Sequence, residues 1–128
     1  EPKMGLASAI AGAPPTEWGL YDTAYTERFM STPQDNVEGY AASDVNNRLY
    51  NLTGRLLLMH GMADDNVIFE NTTRVLNALQ EKSIPFETML YPGQRHGIRG
   101  NDRQLHQWRT YLDFLDRTIG ARAQISGQ

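Results

Sequence analysis

Arg55-Leu56-Leu57-Leu58-Met59-His60-Gly61-Met62-Ala63-Asp64-Asp65-Asn66-Val67 is the stretch on which the fold turns. Its first half is an unbroken apolar run stopped by Gly61. A strand with one wet face alternates apolar and polar residues. An unbroken run instead suits a strand covered on both faces, as in a parallel sheet. Its second half, 62–66, is a polar loop with two carboxylates and an amide. In open parallel sheets the working residues gather in loops beyond the carboxyl ends of the strands, so this loop is the first place to look for chemistry.

Toward the C-terminus the pattern repeats. From Val67 to Lys82, Ile68, Val75, Leu76 and Leu79 form one helical stripe. Ser83-Ile84-Pro85 ends that helix, and Phe86 to Tyr91 reads as a second strand. The loop 92–100 follows, with three glycines and His96. Asn101 is placed to cap a last helix whose stripe is Leu105, Trp108, Leu112, Leu115 and Ile119. Strand, loop, helix, strand, loop, helix is a βαβ unit with one helix added. The fold class is therefore α/β, a mostly parallel sheet with flanking helices.

Toward the N-terminus, the small apolar run from Gly5 to Gly12 reads as another strand, ended by Pro14 and Pro15. Trp18, Tyr21, Tyr25 and Phe29 recur at spacings of three and four, so Trp18 to Met30 is expected to be helical. Asp35 to Leu49 suits short helices and turns. Residues 121–128 carry no stripe and are expected to fray, which leaves 1–120 as the folded segment.

Composition narrows the function. The 128 residues amount to about one domain. Twelve basic residues against 15 acidic ones give a net charge of −3, which argues against nucleic acid as a partner. With no cysteine, thiolate catalysis and disulfides are excluded. No apolar run approaches the roughly 20 residues of a membrane span. The three histidines and their acidic neighbours show no metal-ligand spacing, and no cofactor is implied.

Loops 62–66 and 92–100 should emerge side by side on one edge of the sheet, because neighbouring strands lie only about 5 Å apart. Asp64 and His96 can then meet. A buried carboxylate bonded to one imidazole nitrogen fixes the tautomer and leaves the other nitrogen as a base. Acid before histidine is also the chain order of α/β-hydrolases. The nucleophile is missing: no serine lies in a G-x-S-x-G turn. The strand at 5–12 is where such a chain would resume after its nucleophile helix, so the elbow is expected upstream of Glu1.

Three segments carry a resemblance to a known family. His60-Gly61-Met62-Ala63-Asp64-Asp65-Asn66-Val67, Tyr91 with His96-Gly97-Ile98, and Trp18-Gly19-Leu20-Tyr21-Asp22-Thr23-Ala24-Tyr25-Thr26-Glu27-Arg28-Phe29-Met30 are similar, in order and spacing, to motifs of the dipeptidyl peptidase branch of the prolyl oligopeptidase family of serine peptidases. The resemblance implies the C-terminal portion of an α/β-hydrolase fold, without the nucleophile elbow or the β-propeller. It implies Asp64 as triad acid and His96 as triad base. Asn66 would hydrogen-bond a substrate carbonyl, and Val67, Trp18, Tyr21 and Tyr25 would line the pocket for the penultimate residue. The implied activity is removal of N-terminal X-Pro or X-Ala dipeptides, with the upstream part of the chain as an obligatory partner. A homodimer is a separate expectation: the first strand lacks its upstream neighbour, and bare edges invite pairing. Bacterial members of the family are often periplasmic, and any export signal would lie upstream.

Each of these residues also has a plainer reading. Asp64 could cap the helix near Val67. His96 could be a surface turn residue, and His60 a buried structural one. His106 belongs on the solvent flank of its helix. Aromatics at helical spacing are more often core than pocket. Two other functions share the acid–histidine pattern: another α/β-hydrolase, such as an esterase or acyl-aminoacyl peptidase, and a non-catalytic interaction module on the same scaffold.

Overall fold

The computed structural model describes residues 7–120 and 122. The apolar run becomes strand β2, Arg55–Gly61. It lies at the centre of a three-stranded parallel sheet, between β1 (Ser8–Gly12) and β3 (Glu87–Tyr91). Ser8 pairs with Arg55 and Gly12 with Met59; Leu57 pairs with Glu87 and Gly61 with Tyr91. Because side chains alternate across a strand, the run divides between two cores. Leu58 packs with Leu49, Val75 and Leu79 on one face. Leu57 and Met59 pack with Tyr91 and Phe114 on the other. The chain is thus an α/β protein with a parallel sheet and helices on both faces.

Helix α3 (Glu70–Glu81) covers the first face, and its side chains Val75 and Leu79 are buried. The helix expected from Val67 begins at Glu70 instead. Residues 65–69 form turns, two of whose amides are taken by Asp64. Ile68 consequently lies outside the stripe and is exposed.

The single helix expected over Trp18 to Met30 is broken. A 3₁₀ turn, Trp18–Leu20, is followed by extended Tyr21, and then by α1, Thr23–Met30. Asp22 caps α1, its side chain accepting from the Tyr25 amide at 2.8 Å. An Asp favours a cap over a helix interior, and here that preference overrides the aromatic spacing. The following stretch has the expected short pieces, α2 (Val37–Ser43) and a 3₁₀ helix, Val45–Asn51.

The last helix, α4 (Asn101–Thr118), packs on the second face. Asn101 is not its cap; Gly100, at φ 90°, holds that position without a side-chain bond. Of the expected stripe, Leu115 docks and the other four residues do not. Leu105, Trp108 and Leu112 are 50%, 63% and 65% exposed, and Ile119 is exposed too. The helix docks through Phe114, 1% exposed, with Tyr111 and Leu115 against it. Two apolar sets overlap on this helix, about a quarter-turn apart, and contact with the sheet selects between them. Among the described residues no helix is long and apolar enough to cross a membrane. Apart from residue 122, the expected frayed tail lies outside the described residues, as do Gly5 and Leu6 of the first strand.

Candidate active site

The parallel pairing of β2 and β3 delivers both polar loops to one edge of the sheet. The loops are laced together by backbone bonds: the Met62 amide donates to the Tyr91 carbonyl at 3.0 Å, and the Ala63 amide to the Gln94 carbonyl at 2.9 Å. Gly61 permits this approach. A Cβ there would stand 2.4 Å from the backbone oxygens of Gln94 and Arg95, far inside contact distance.

Across this junction, His96 Nδ1 lies 2.9 Å from Asp64 Oδ2. The Asp64 side chain is buried, while the His96 side chain is 46% exposed. The second carboxylate oxygen, Oδ1, accepts from the Asn66 amide at 2.9 Å and the Val67 amide at 3.1 Å. Asp64 therefore shapes the turn leading into α3 and binds His96 at once. Burial alone would raise its pKa. The Asn66 amide and the N–H groups of His96 and His60 outweigh that effect and hold the carboxyl below its ordinary value. A carboxylate acceptor draws the His96 proton to Nδ1, which leaves Nε2 as the unprotonated nitrogen of the neutral ring.

His96 lines a cavity of about 270 Å³ that runs between Gly12 and Ala13, at the end of β1, and Ile98 and Tyr111. No serine lines it. The neighbouring Asp65 faces outward and pairs with Arg95 at 2.7 Å. Among the described residues no group of three or more His, Asp or Glu side chains is disposed to hold a metal ion.

The aromatic residues form a cluster at the surface. Trp18 meets Tyr21 edge-on at 5.8 Å and stacks with Tyr25 at 6.1 Å, and Tyr21 meets Tyr25 at 5.7 Å. Phe29 extends the row. Tyr25 is 52% and Phe29 69% exposed, which is unlike a core. The cluster is tied to the start of α3 by Asn71, a fully buried side chain. Its Oδ1 accepts from the amides of Thr16 at 3.0 Å and Glu17 at 3.2 Å, just before Trp18. Asn66 is exposed beside the Asp64 turn. Val67 is buried, 3% exposed, and its carbonyl faces His60.

Asn71 and His60 were not legible as site residues. Asn71 reads as one more polar helix residue. For His60 the one signal was a histidine inside an apolar run. It is buried, as expected, but it also touches Asp64. His106 is exposed on its flank and lies 3.1 Å from the Tyr91 hydroxyl.

Comparison with known proteins gives a consistent result. The model of the prolyl oligopeptidase family matches residues 7–122. Dipeptidyl peptidase 8 of Homo sapiens is 39% identical over 117 residues, 89% of this chain and 13% of the relative. Dipeptidyl peptidase 4 of Sus scrofa is 40% identical over 109 residues, 83% of this chain and 14% of the relative. The crystal structure of Porphyromonas gingivalis dipeptidyl peptidase 4 superposes with a TM-score of 0.87 at 38% identity, covering 89% of this chain and 16% of that one. The chain thus spans about one seventh of the length of the relatives it matches. With a family model matched along nearly all of the described residues, and this fold beneath it, the chain belongs to the prolyl oligopeptidase family.

Proposed function

We propose that this chain is the acid–base portion of a serine exopeptidase that releases N-terminal dipeptides, preferentially after proline or alanine. The observation that carries the reading is the 2.9 Å contact between buried Asp64 and half-exposed His96 at the rim of a cavity. A serine supplied from outside these residues attacks the scissile carbonyl. His96 Nε2 takes its proton and returns it to the leaving amine. Asp64 orients the ring and stabilises the imidazolium. Asn66 bonds a substrate carbonyl. Trp18, Tyr21 and Tyr25, with Val67, wall the pocket for the proline ring; flat aliphatic rings suit aromatic walls. The exposed aromatic cluster supports this over an esterase reading, which has no need of it.

A chimera tests the proposal. Residues 7–120 replace the equivalent segment of the Porphyromonas gingivalis enzyme, and Gly-Pro-p-nitroanilide is the substrate. Turnover that His96→Ala lowers by at least about 10³-fold is expected. A folded chimera without turnover overturns the reading. The 128 residues alone are expected to be inactive, since base and acid without a nucleophile cannot form the covalent intermediate. Hydrolysis by the purified chain, abolished in His96→Ala, contradicts that. Self-association of the isolated chain belongs to the same proposal. The outer edge of β1 has no partner strand among the described residues, and bare edges invite pairing. A clean monomer in sedimentation at millimolar concentration counts against it.

A further inference from the structure

His60 is 1% exposed in the central strand, and both its ring nitrogens are engaged. Nε2 lies 3.1 Å from Asp64 Oδ2 and 2.9 Å from the Val67 carbonyl, and Nδ1 lies 2.7 Å from Thr72 Oγ1. A carboxylate and a carbonyl can only accept, so Nε2 carries a proton in either charge state of the ring. In the neutral ring Nδ1 then accepts from the Thr72 hydroxyl. Phe69 packs edge-on against the ring at 5.5 Å and closes it from water. The same Oδ2 also receives His96. Asp64 thus takes four N–H donors, two backbone and two imidazole.

We propose that His60 is a positioning residue for Asp64: its Nε2–H fixes Oδ2 toward His96 and keeps a water-excluded carboxylate ionised. The inference rests on the reading of Asp64 as the triad acid. A space-filling role needs none of this polarity. An apolar residue would continue the run Leu57–Met59 without burying an imidazole that must then be satisfied on both sides. Thr72, 0% exposed, has its hydroxyl against Nδ1, which fixes the ring's tautomer and face. The titratable groups facing Asp64 are His60 from β2 and His96 from the loop after β3. Asp65 and Arg95 lie outside this set, exposed and paired with each other.

The test is a ¹³C titration of the Asp64 carboxyl in the 128-residue chain, with ¹⁵N spectra of the histidines. Loss of one donor to a buried carboxylate is expected to raise its proton affinity about tenfold in His60→Leu. His60→Gln, whose amide N–H can reach the same oxygen, stays within about threefold of the unsubstituted chain. An unchanged Asp64 midpoint in folded His60→Leu overturns the inference. Should His60→Leu not fold, the ¹⁵N spectra of the unsubstituted chain decide: a His60 Nε2–H resonance that shifts as the Asp64 carboxyl titrates supports it, and one that does not move overturns it. His96→Ala separates this from the triad reading. A rise there with none in His60→Leu removes His60's role and leaves the triad standing. A rise in His60→Leu with none in His96→Ala retains the His60 donor and speaks against the triad.

Discussion

Asp64 does two things that a single Asp usually does apart. One oxygen closes the turn into α3, and the other meets two imidazoles. Its burial makes the charge expensive, and the four donors offset that cost. The sign of the pH dependence follows. A carboxyl held below its ordinary value in the folded chain contributes stability above the unfolded-state pKa of about 4, and the contribution disappears as pH falls through the lower folded value. Urea unfolding should therefore show a stability loss on acidification below about pH 4. Asp64→Asn should show a smaller acid limb, the remainder belonging to Glu87 and Asp113 beside Arg117, and be less stable at pH 7 by about 2–3 kcal/mol, because an amide NH₂ confronts groups that are themselves donors. An acid limb of equal size in Asp64→Asn would show that other carboxyls set it. At this scale the sequence was informative about Asp64 and His96, since both sit just past strand ends. It was silent on His60's contact with Asp64, because a buried ring's partners depend on how the following loop folds back.

Elements were read less evenly. β2, β3 and α3 follow from hydrophobic runs and stripes. The aromatic segment does not: the 3₁₀ turn ends at extended Tyr21 and Asp22 starts the next helix, so Trp18 and Tyr25 meet through a break and not along one helix. The Asn71 side chain, from an otherwise unremarked position on α3, makes three long-range bonds to the start of this segment, beside the Arg74–Glu17 ion pair and the bond from the Val45 amide to the Thr16 carbonyl. Asn71→Ala leaves the Thr16 and Glu17 amides without their acceptor in a buried place. It should cost about 2–3 kcal/mol in urea unfolding, and should loosen Trp18, read as increased quenching of tryptophan fluorescence. A loss below 0.5 kcal/mol, typical of a surface change, would mean that the segment is held by other contacts.

At the scale of the molecule, the sheet is narrow and each face carries one principal helix. α4 can therefore dock with only part of its apolar surface. Phe114 takes the core position, while Trp108 and Leu112 remain in solvent. Phe114→Ala should cost about 3–5 kcal/mol, whereas Leu112→Glu should change stability by no more than about 0.5 kcal/mol. Comparable losses in both variants, measured by urea unfolding, would restore the stripe read from periodicity.

By itself the sequence determined the α/β class, the parallel order of strands and the edge at which Asp64 and His96 emerge. Those follow from local periodicity and chain connectivity, which are written in neighbouring residues. The tertiary structure alone decided which flank of α4 is buried, where the aromatic helix breaks, that His60 meets Asp64, and that Asn71 ties α3 to the chain before Trp18. Each of those outcomes is a competition between alternatives of similar local energy, and contacts between residues remote in the chain select the winner.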